Sequence, residues 1–124
     1  MNSSPTILSD YDAIAKTVQY YIDGGRSGRG SDMKPGFHQD ATIFGYIGND
    51  LFAGPIQQLF DWNDQNGPAT GLLARITSID IVGTAATVRL ELDNWTGHRF
   101  TDLFTLLKVS GEWKIMNKVF HLHP

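Results

Sequence analysis

Three short turn signals at nearly regular spacing constrain the fold of this chain more than any other feature. Gly83-Thr84, Thr96-Gly97 and Ser110-Gly111 each separate two runs rich in β-branched, aromatic and leucine residues. These runs cover residues 72–82, 85–95, 98–109 and 112–122. Two-residue breaks of this kind join adjacent antiparallel strands. The second half of the chain is therefore predicted to be a four-stranded antiparallel meander.

The first half of the chain has mainly helical spacing. Apolar residues recur every three or four positions between Tyr11 and Ile22, which predicts a helix that Gly24-Gly25 is expected to end. A helical turn at residues 31–34, strands at 41–47 and 51–53, and a helix starting at Gly54-Pro55 follow. We therefore expect an α+β fold, with three helices packed on a mainly antiparallel sheet. A length of 124 residues predicts a single domain over residues 1–124.

The turns also predict which side chains share a sheet face. If every turn contains two residues and no strand contains a bulge, Leu90 pairs with Leu103 and Leu103 pairs with Lys118. A single bulge would invert the assignment beyond it. The first predicted face includes Arg75, Leu90, Leu92, Leu103, Thr105, Met116, Lys118 and Phe120. The second includes Trp95, Phe100, Asp102, Phe104, Trp113 and His121.

The two predicted faces differ in character. The first is almost entirely apolar, so we expect it to receive the helices and to enclose a pocket. The second mixes large aromatic rings with charges, which is typical of protein interfaces. Trp95, Phe100, Phe104 and Trp113 cannot all stay in contact with water on a monomer. This face is therefore predicted to form a homodimer.

Composition excludes several classes of function. The formal net charge of −3 gives no electrostatic footprint for nucleic acid. The absence of cysteine excludes disulfides and thiolate chemistry, and no apolar run is long enough to span a membrane. The N-terminal residues lack the pattern of a signal peptide, so a cytoplasmic location is expected. His121 and His123 are too few for a zinc site, and neither a metal nor a cofactor is predicted.

The predicted pocket face carries the candidate binding residues. Lys118 lies between Met116 and Phe120 and is interpreted as an anchor for an anionic ligand, with Arg75 as a second cation. The alternative is that Lys118 reaches solvent or pairs with an acid. Tyr21 can donate to a ligand or lie in the core, and Trp62 can stack on a ring or form part of the core. The candidate ligand-binding residues are Tyr21, Trp62, Arg75, Thr105, Lys118 and Phe120.

Acid–base chemistry has three candidate residues. His121 is a candidate because histidine is the residue type whose ordinary pKa lies nearest to neutrality. Asp102 lies between Phe100 and Phe104, where the pKa of its carboxyl is expected to rise. Asp102 can instead pair with Arg89 or His98 across the strands, and this interpretation is favoured. With Tyr21 as a possible donor, the candidate catalytic residues are Tyr21, Asp102 and His121.

Several local motifs resemble the nuclear-transport-factor-2-like superfamily, which includes SnoaL-like cyclases and ketosteroid isomerases. They are residues 18–24 (VQYYIDG) in the first helix and residues 37–42 (FHQDAT) entering the first strand. The ending, residues 102–108 (DLFTLLK) and 111–121 (GEWKIMNKVFH), is similar to the putative lumazine-binding subgroup. The resemblance implies a cone-shaped fold enclosing a pocket, usually in a homodimer.

Ketosteroid isomerases need a tyrosine, an aspartate base and a second, protonated aspartate. The resemblance matches the tyrosine to Tyr21, the base to Gly45 and the second carboxylate to a position near Thr105. Two of the three groups are thus expected to be absent. The function predicted first is binding of a small organic molecule, which is expected to be aromatic or anionic. The alternatives are a cyclase, isomerase or dehydratase using acid–base residues, and a purely structural dimerisation module.

Overall fold

The computed structural model describes residues 7–124. Helix α1 (Ile7–Ser27) is followed by a short helix α2 (Gly30–Met33), a 3-10 turn (Lys34–Gly36) and strand β1 (Phe37–Ile47). Strand β2 (Asp50–Pro55) precedes helix α3 (Gln57–Asn66). The remaining strands are β3 (Leu73–Val82), β4 (Ala85–Trp95), β5 (His98–Val109) and β6 (Glu112–Leu122). The predicted strands of the second half are correct to within one residue.

The six strands form one sheet in the order β2-β1-β6-β5-β4-β3. Strands β1 and β6 are parallel, and all other neighbours are antiparallel. The buried side of α1 packs with residues of the sheet in one hydrophobic cluster. We call the sheet face that carries Val88, Leu90 and Leu92 of β4 the inner face, and the opposite one the outer face. The predicted α+β class and the C-terminal meander are confirmed.

Helix α1 does not end at Gly24-Gly25 as predicted. Both glycines are buried inside the helix, which continues to Ser27, and Gly28 follows with φ of +74°. A Cβ on Gly25 would lie 2.9 Å from the indole ring of Trp95. The glycine pair therefore lets the helix approach its neighbours closely instead of terminating it.

Among residues 7–124, no helix is long and apolar enough to cross a membrane.

The predicted two-residue turns are confirmed. Thr96 and Gly97 have φ of 50° and 91°, and Ser110 and Gly111 have φ of 52° and 81°. Positive φ at both central residues is the condition for the hairpin turn whose twist matches the strands. The pairs beside the turns, such as Val109 with Glu112, follow the predicted register.

Each hairpin contains one extra residue further from its turn, and these bulges overturn the predicted faces. In β3 the extra residue is Thr77, between the pairs Ile76–Leu90 and Ser78–Arg89. In β4, Asp93 and Asn94 together oppose Arg99. In β6 the extra residue is Met116, between the pairs Leu106–Ile115 and Thr105–Asn117. Because side chains alternate with a period of two, one extra residue inverts every later assignment.

The inner face therefore has a different composition from the one predicted. Leu90 pairs with Asp102 instead of Leu103, and Phe104 pairs with Lys118. The residues wrongly predicted to be outside, and buried in the structure, are Trp95, Phe100, Asp102, Phe104 and Trp113. The residues wrongly predicted to be inside, and exposed in the structure, are Arg75, Leu103 and Thr105.

The predicted dimer surface is consequently wrong in its residues. Trp95 and Phe104 are 2% and 1% exposed, so neither is available to a partner. The outer face instead carries Phe44, Val119 and Leu103, which are 41%, 42% and 52% exposed. Phe44 pairs with Val119 and Val119 pairs with Leu103, so the three form one row across β1, β6 and β5.

Candidate functional site

A small apolar cavity lies between the inner face and the helices. Its lining includes one amine and one phenol, those of Lys118 and Tyr21, among apolar and aromatic side chains. The apolar lining is Ile43, Ile47, Phe52, Leu59, Trp62, Trp95, Phe100 and Phe120. Its volume is about 30 Å³, roughly the share of one water molecule in the liquid. Ile47 is 39% exposed, and Phe52 and Trp62 are partly buried, so these three residues form the boundary of the cavity that is nearest to solvent.

The bulge in β6 directs Lys118 into this cavity. Beyond the extra residue Met116, Lys118 and Phe120 point inward, and Lys118 is 5% exposed. Gly45 of β1 pairs with Phe120, and a Cβ there would lie 2.5 Å from the Phe120 ring. Glycine at position 45 therefore leaves the space that the ring occupies beside the amine.

Lys118, Asp102 and Tyr21 form a buried polar cluster at the cavity wall. The Tyr21 hydroxyl donates to Asp102 Oδ2 over 2.7 Å. Lys118 Nζ lies 3.9 Å from Asp102 Oδ1, beyond hydrogen-bond distance. Asp102 and Tyr21 are 0% and 1% exposed, and Oδ1 has no hydrogen-bond partner among the described residues. The cluster is thus an incompletely satisfied hydrogen-bond network beside an apolar cavity.

Aromatic rings partly compensate the buried amine. Lys118 Nζ lies 4.9 Å from the ring centroid of Tyr21 and 5.0 Å from that of Phe120. An ammonium within about 6 Å of a ring centroid is attracted by the negative face of the ring. Because this attraction has no fixed hydrogen-bond direction, the Nζ protons remain available to an acceptor in the cavity.

Burial shifts the pKa of all three groups toward their uncharged forms. It raises the pKa of the Asp102 carboxyl, an effect that the Lys118 charge and the Tyr21 hydrogen bond oppose. It lowers the pKa of the Lys118 ammonium, and the charge of Asp102 opposes this shift. Burial, followed by the charge of Asp102, raises the pKa of the Tyr21 phenol well above its ordinary value. A lysine in this setting releases its proton more readily than a surface lysine.

The structure brings together only part of the predicted site. Tyr21, Trp62, Lys118 and Phe120 line the cavity, and Asp102 lies directly behind it. Asp102 contacts Tyr21 and Lys118 instead of the predicted partners Arg89 and His98. Arg89 pairs with Glu91 on the outer face.

Three predicted site residues lie elsewhere. Arg75 and Thr105 are exposed on the outer face, so Arg75 cannot serve as a second cation beside Lys118. His121 is also exposed, with its ring 4.7 Å from that of His123. Among residues 7–124, no group of three or more potential metal-ligating side chains occurs.

Sequence reasoning also missed the contact of Asp102 with Tyr21 and Lys118. The cavity-lining residues that it missed are Ile43, Ile47, Phe52, Leu59, Trp95 and Phe100. Trp95 and Phe100 are 6.1 Å apart between ring centroids and were assigned to the wrong face. The available signal was Asn94, which adopts φ of +57° at the bulge. Asparagine tolerates this left-handed conformation better than most residues, so it is a typical bulge residue.

The structure bears on the comparison with ketosteroid isomerases at three positions. A carboxylate lies next to the tyrosine, since Asp102 accepts a hydrogen bond from the Tyr21 hydroxyl. Thr105, near which the second carboxylate was expected, is exposed. Gly45, the position matched to the base, has no side chain, and a Cβ there would lie 2.5 Å from the Phe120 ring.

Comparisons with known proteins agree with this architecture. A family model described as putative lumazine-binding matches residues 9–121. A solved NTF2-like protein of unknown function from Methylobacillus flagellatus KT is 50% identical, with a TM-score of 0.93 over 100% of this chain and 99% of that chain. Another, from Shewanella baltica OS155, is 44% identical with a TM-score of 0.92 over 98% and 99%. The predicted resemblance to the nuclear-transport-factor-2-like superfamily is confirmed.

One curated protein is also similar over most of its length. It is named Aldolase FrzH, from Cladobotryum sp, and is 33% identical over 117 residues, which cover 94% of each chain. A ketosteroid isomerase-like protein from Erwinia carotovora atroseptica SCRI1043 shares 13% identity at a TM-score of 0.67 over 91% of this chain and 95% of that chain. This second similarity concerns the fold alone.

Proposed function

Because the chain belongs to the putative lumazine-binding family and holds a buried amine against an apolar cavity, we propose that it binds a small carbonyl compound there. The observation that carries this proposal is the cluster of Lys118, Asp102 and Tyr21 at the cavity wall. The apolar lining suits a ring or short hydrocarbon, and Lys118 Nζ can donate to a carbonyl oxygen.

Charge balance favours a neutral carbonyl compound over an anion. Asp102 already lies 3.9 Å from Lys118 Nζ, so the buried pair has no net charge whether or not a proton passes between its members. A carboxylate ligand would bring an uncompensated negative charge beside Asp102, which is costly in an apolar interior. We therefore propose a ligand that is aromatic or aliphatic and uncharged.

Ligand entry requires the cavity to enlarge. A volume of about 30 Å³ is far below the ~150 Å³ of a cavity that accommodates benzene. Phe52 and Trp62 are the lining aromatic residues with partial exposure, and we propose that they move outward when a ligand enters. Trp62 lies 6.1 Å from Trp95 between ring centroids, so its movement is expected to change tryptophan fluorescence.

A thermal-shift and fluorescence titration tests the binding proposal. We expect benzaldehyde and acetophenone to raise the melting temperature saturably, and benzyl alcohol and benzoate to do so much less. Lys118→Met should remove the preference for the carbonyl compounds, whereas Lys16→Met, which changes an exposed lysine on α1, should retain it. Equal shifts with all four compounds, or none with any, would contradict the proposal.

A second candidate function is carbon–carbon bond formation or cleavage next to a carbonyl group. It is favoured by the similarity to Aldolase FrzH, together with a buried amine beside an acid. Incubation with acetone and benzaldehyde, followed by NMR detection of the β-hydroxyketone, tests it. Product formation that does not exceed that of Lys118→Met would remove this candidate.

We also propose that the partner of the outer face is a second copy of the chain. Phe44, Val119 and Leu103 form an apolar row in the middle of the sheet, and a two-fold axis through it would cover the row with itself. Light scattering should show a dimer that Leu103→Lys dissociates and that Leu73→Lys, at the edge strand β3, leaves intact. A monomeric wild type at micromolar concentration would contradict this proposal.

A further inference from the structure

We propose that Lys118 is a covalent site, at which Nζ forms an imine with an aldehyde or ketone held in the cavity. This inference rests on the proposed carbonyl binding and adds a bond to it. Three features of the structure carry it: the position of the amine at the cavity wall, its isolation from hydrogen-bond acceptors, and the carboxyl group beside it.

Lys118 differs from every other lysine of the chain. Lys108 Nζ contacts Asp10 at 3.1 Å, and Lys114 Nζ donates to the Pro35 carbonyl over 2.8 Å. Lys16 and Lys34 are exposed, so their amines are solvated. Lys118 alone faces an apolar cavity, and its nearest carboxylate oxygen lies at 3.9 Å. Its lone pair is consequently blocked neither by water nor by a tight ion pair once the proton has left.

Asp102 is positioned to move the protons that imine formation requires. Its Oδ1 faces Lys118 without a hydrogen-bond partner among the described residues, while Oδ2 is held by the Tyr21 hydroxyl at 2.7 Å. Tyr21 therefore acts as a positioning residue that fixes the carboxyl group. The free oxygen is the one that can exchange a proton with Nζ and with the carbonyl oxygen bound beside it.

The first half of the reaction forms a carbinolamine. The Nζ lone pair attacks the carbonyl carbon, the C=O π pair moves to oxygen, and the protonated Asp102 carboxyl gives its proton to that oxygen. Nζ then returns one proton to Asp102. The products are the carbinolamine and the protonated carboxyl, so no proton is gained or lost.

The second half expels water. Asp102 protonates the carbinolamine hydroxyl, the C–O bond breaks with its electron pair leaving on water, and the nitrogen lone pair forms the C=N bond. The result is a positively charged iminium beside a negatively charged Asp102. The charge balance of the buried site is preserved at about the separation seen between Nζ and Oδ1. Neither an oxidant nor a reductant takes part in these steps.

Borohydride trapping tests the proposal on the full chain. Benzaldehyde is incubated with the protein at pH 7, sodium borohydride is added, and intact mass with peptide mapping locates the benzylated amine. We expect a single adduct on Lys118 in the wild type and in Lys16→Met, and none in Lys118→Met. Asp102→Asn should slow adduct formation at least tenfold without abolishing the thermal shift by benzaldehyde.

The possible outcomes separate the two proposals. A saturable thermal shift by benzaldehyde without a Lys118 adduct would leave binding intact and overturn the covalent site. An adduct distributed over several lysines in proportion to their exposure would also overturn it. Absence of both shift and adduct would refute the binding proposal itself. Because the peptide map is measured on the wild type, the test does not depend on the folding of any variant.

Discussion

A double-mutant cycle reports the charge state of the buried pair formed by Lys118 and Asp102. It compares the wild type with Lys118→Met, Asp102→Asn and the variant that carries both changes. Two unit charges about 4 Å apart interact by ~4 kcal/mol at an effective dielectric constant of ~20, and Nζ and Oδ1 are 3.9 Å apart. A full ion pair therefore predicts a coupling energy near that value. An uncharged amine beside a protonated carboxyl, with no direct hydrogen bond between them, predicts a much smaller coupling energy.

We expect the uncharged pair to dominate at pH 7. Burial is the largest influence on the pKa of both groups, and it acts against the charged form of each. The coupling energy should then be below about 2 kcal/mol, half of the ion-pair value. Lys118→Met should leave the free energy of unfolding within about 1.5 kcal/mol of the wild type, since an unbranched apolar chain replaces a neutral amine.

Urea unfolding at pH 7, followed by tryptophan fluorescence, supplies the four free energies of the cycle. Trp95 and Trp113 are 2% and 4% exposed and will report loss of the core. Lys16→Met is the matched control for the removal of a lysine. A coupling energy near 4 kcal/mol, with Lys118→Met destabilised by ~3–5 kcal/mol, would show that the amine is protonated. The reasoning behind the covalent site would then fail.

Three further predictions concern the same site. Folding lowers the pKa of Lys118, so at pH values between the folded and the unfolded pKa the unfolded state binds more protons. The stability of the wild type should therefore rise relative to that of Lys118→Met as the pH increases from 7 to 9.5, by at most about 1.4 kcal/mol per pH unit. Parallel profiles of urea midpoint against pH for the two proteins would contradict this. Gly45→Ala places a Cβ 2.5 Å from the Phe120 ring and should destabilise the protein by about 1–3 kcal/mol, measured by urea unfolding. The control is Gly71→Ala, where the added atom meets only the end of the exposed Asn94 side chain. Tyr21→Phe removes the hydrogen bond to Asp102 and should cost ~1–3 kcal/mol; an unchanged unfolding midpoint would show that the hydrogen bond adds nothing to stability.

The bounds of the elements could be predicted because turn signals are local. Gly97 and Gly111 mark hairpin turns by their composition alone, and the strands between them follow directly. The end of α1 was mispredicted for a reason that is not local. A side chain at position 25 would collide with the Trp95 ring, which is 70 positions further along the chain. The helical pattern of the sequence around Gly25 contains no sign of that contact.

The side chains that share a sheet face could not be predicted, because each bulge adds one residue and inverts the alternation of side chains beyond it. Thr77, Asn94 and Met116 each occupy a bulge position, yet threonine and methionine carry no composition signal for one. The residue types of β5 did not help, since leucine, phenylalanine and threonine at positions 103–106 are compatible with either face of the sheet. The cavity residues of β6, Lys118 and Phe120, were placed correctly on the inner face, whereas their neighbours on β5 were not.

The bulge at Met116 is the reason that the candidate site exists. The register beside the last turn, if continued without it, would pair Leu103 with Lys118 and direct Asp102 to the opposite face. With the extra residue, Phe104 pairs with Lys118 and both Asp102 and Lys118 point inward. Bulges are frequent next to active sites, where they redirect a side chain at the expense of ladder hydrogen bonds. A regular β6 would have buried Val119 and left the lysine in water, so the irregular strand is what brings the amine, the carboxyl group and the apolar cavity together.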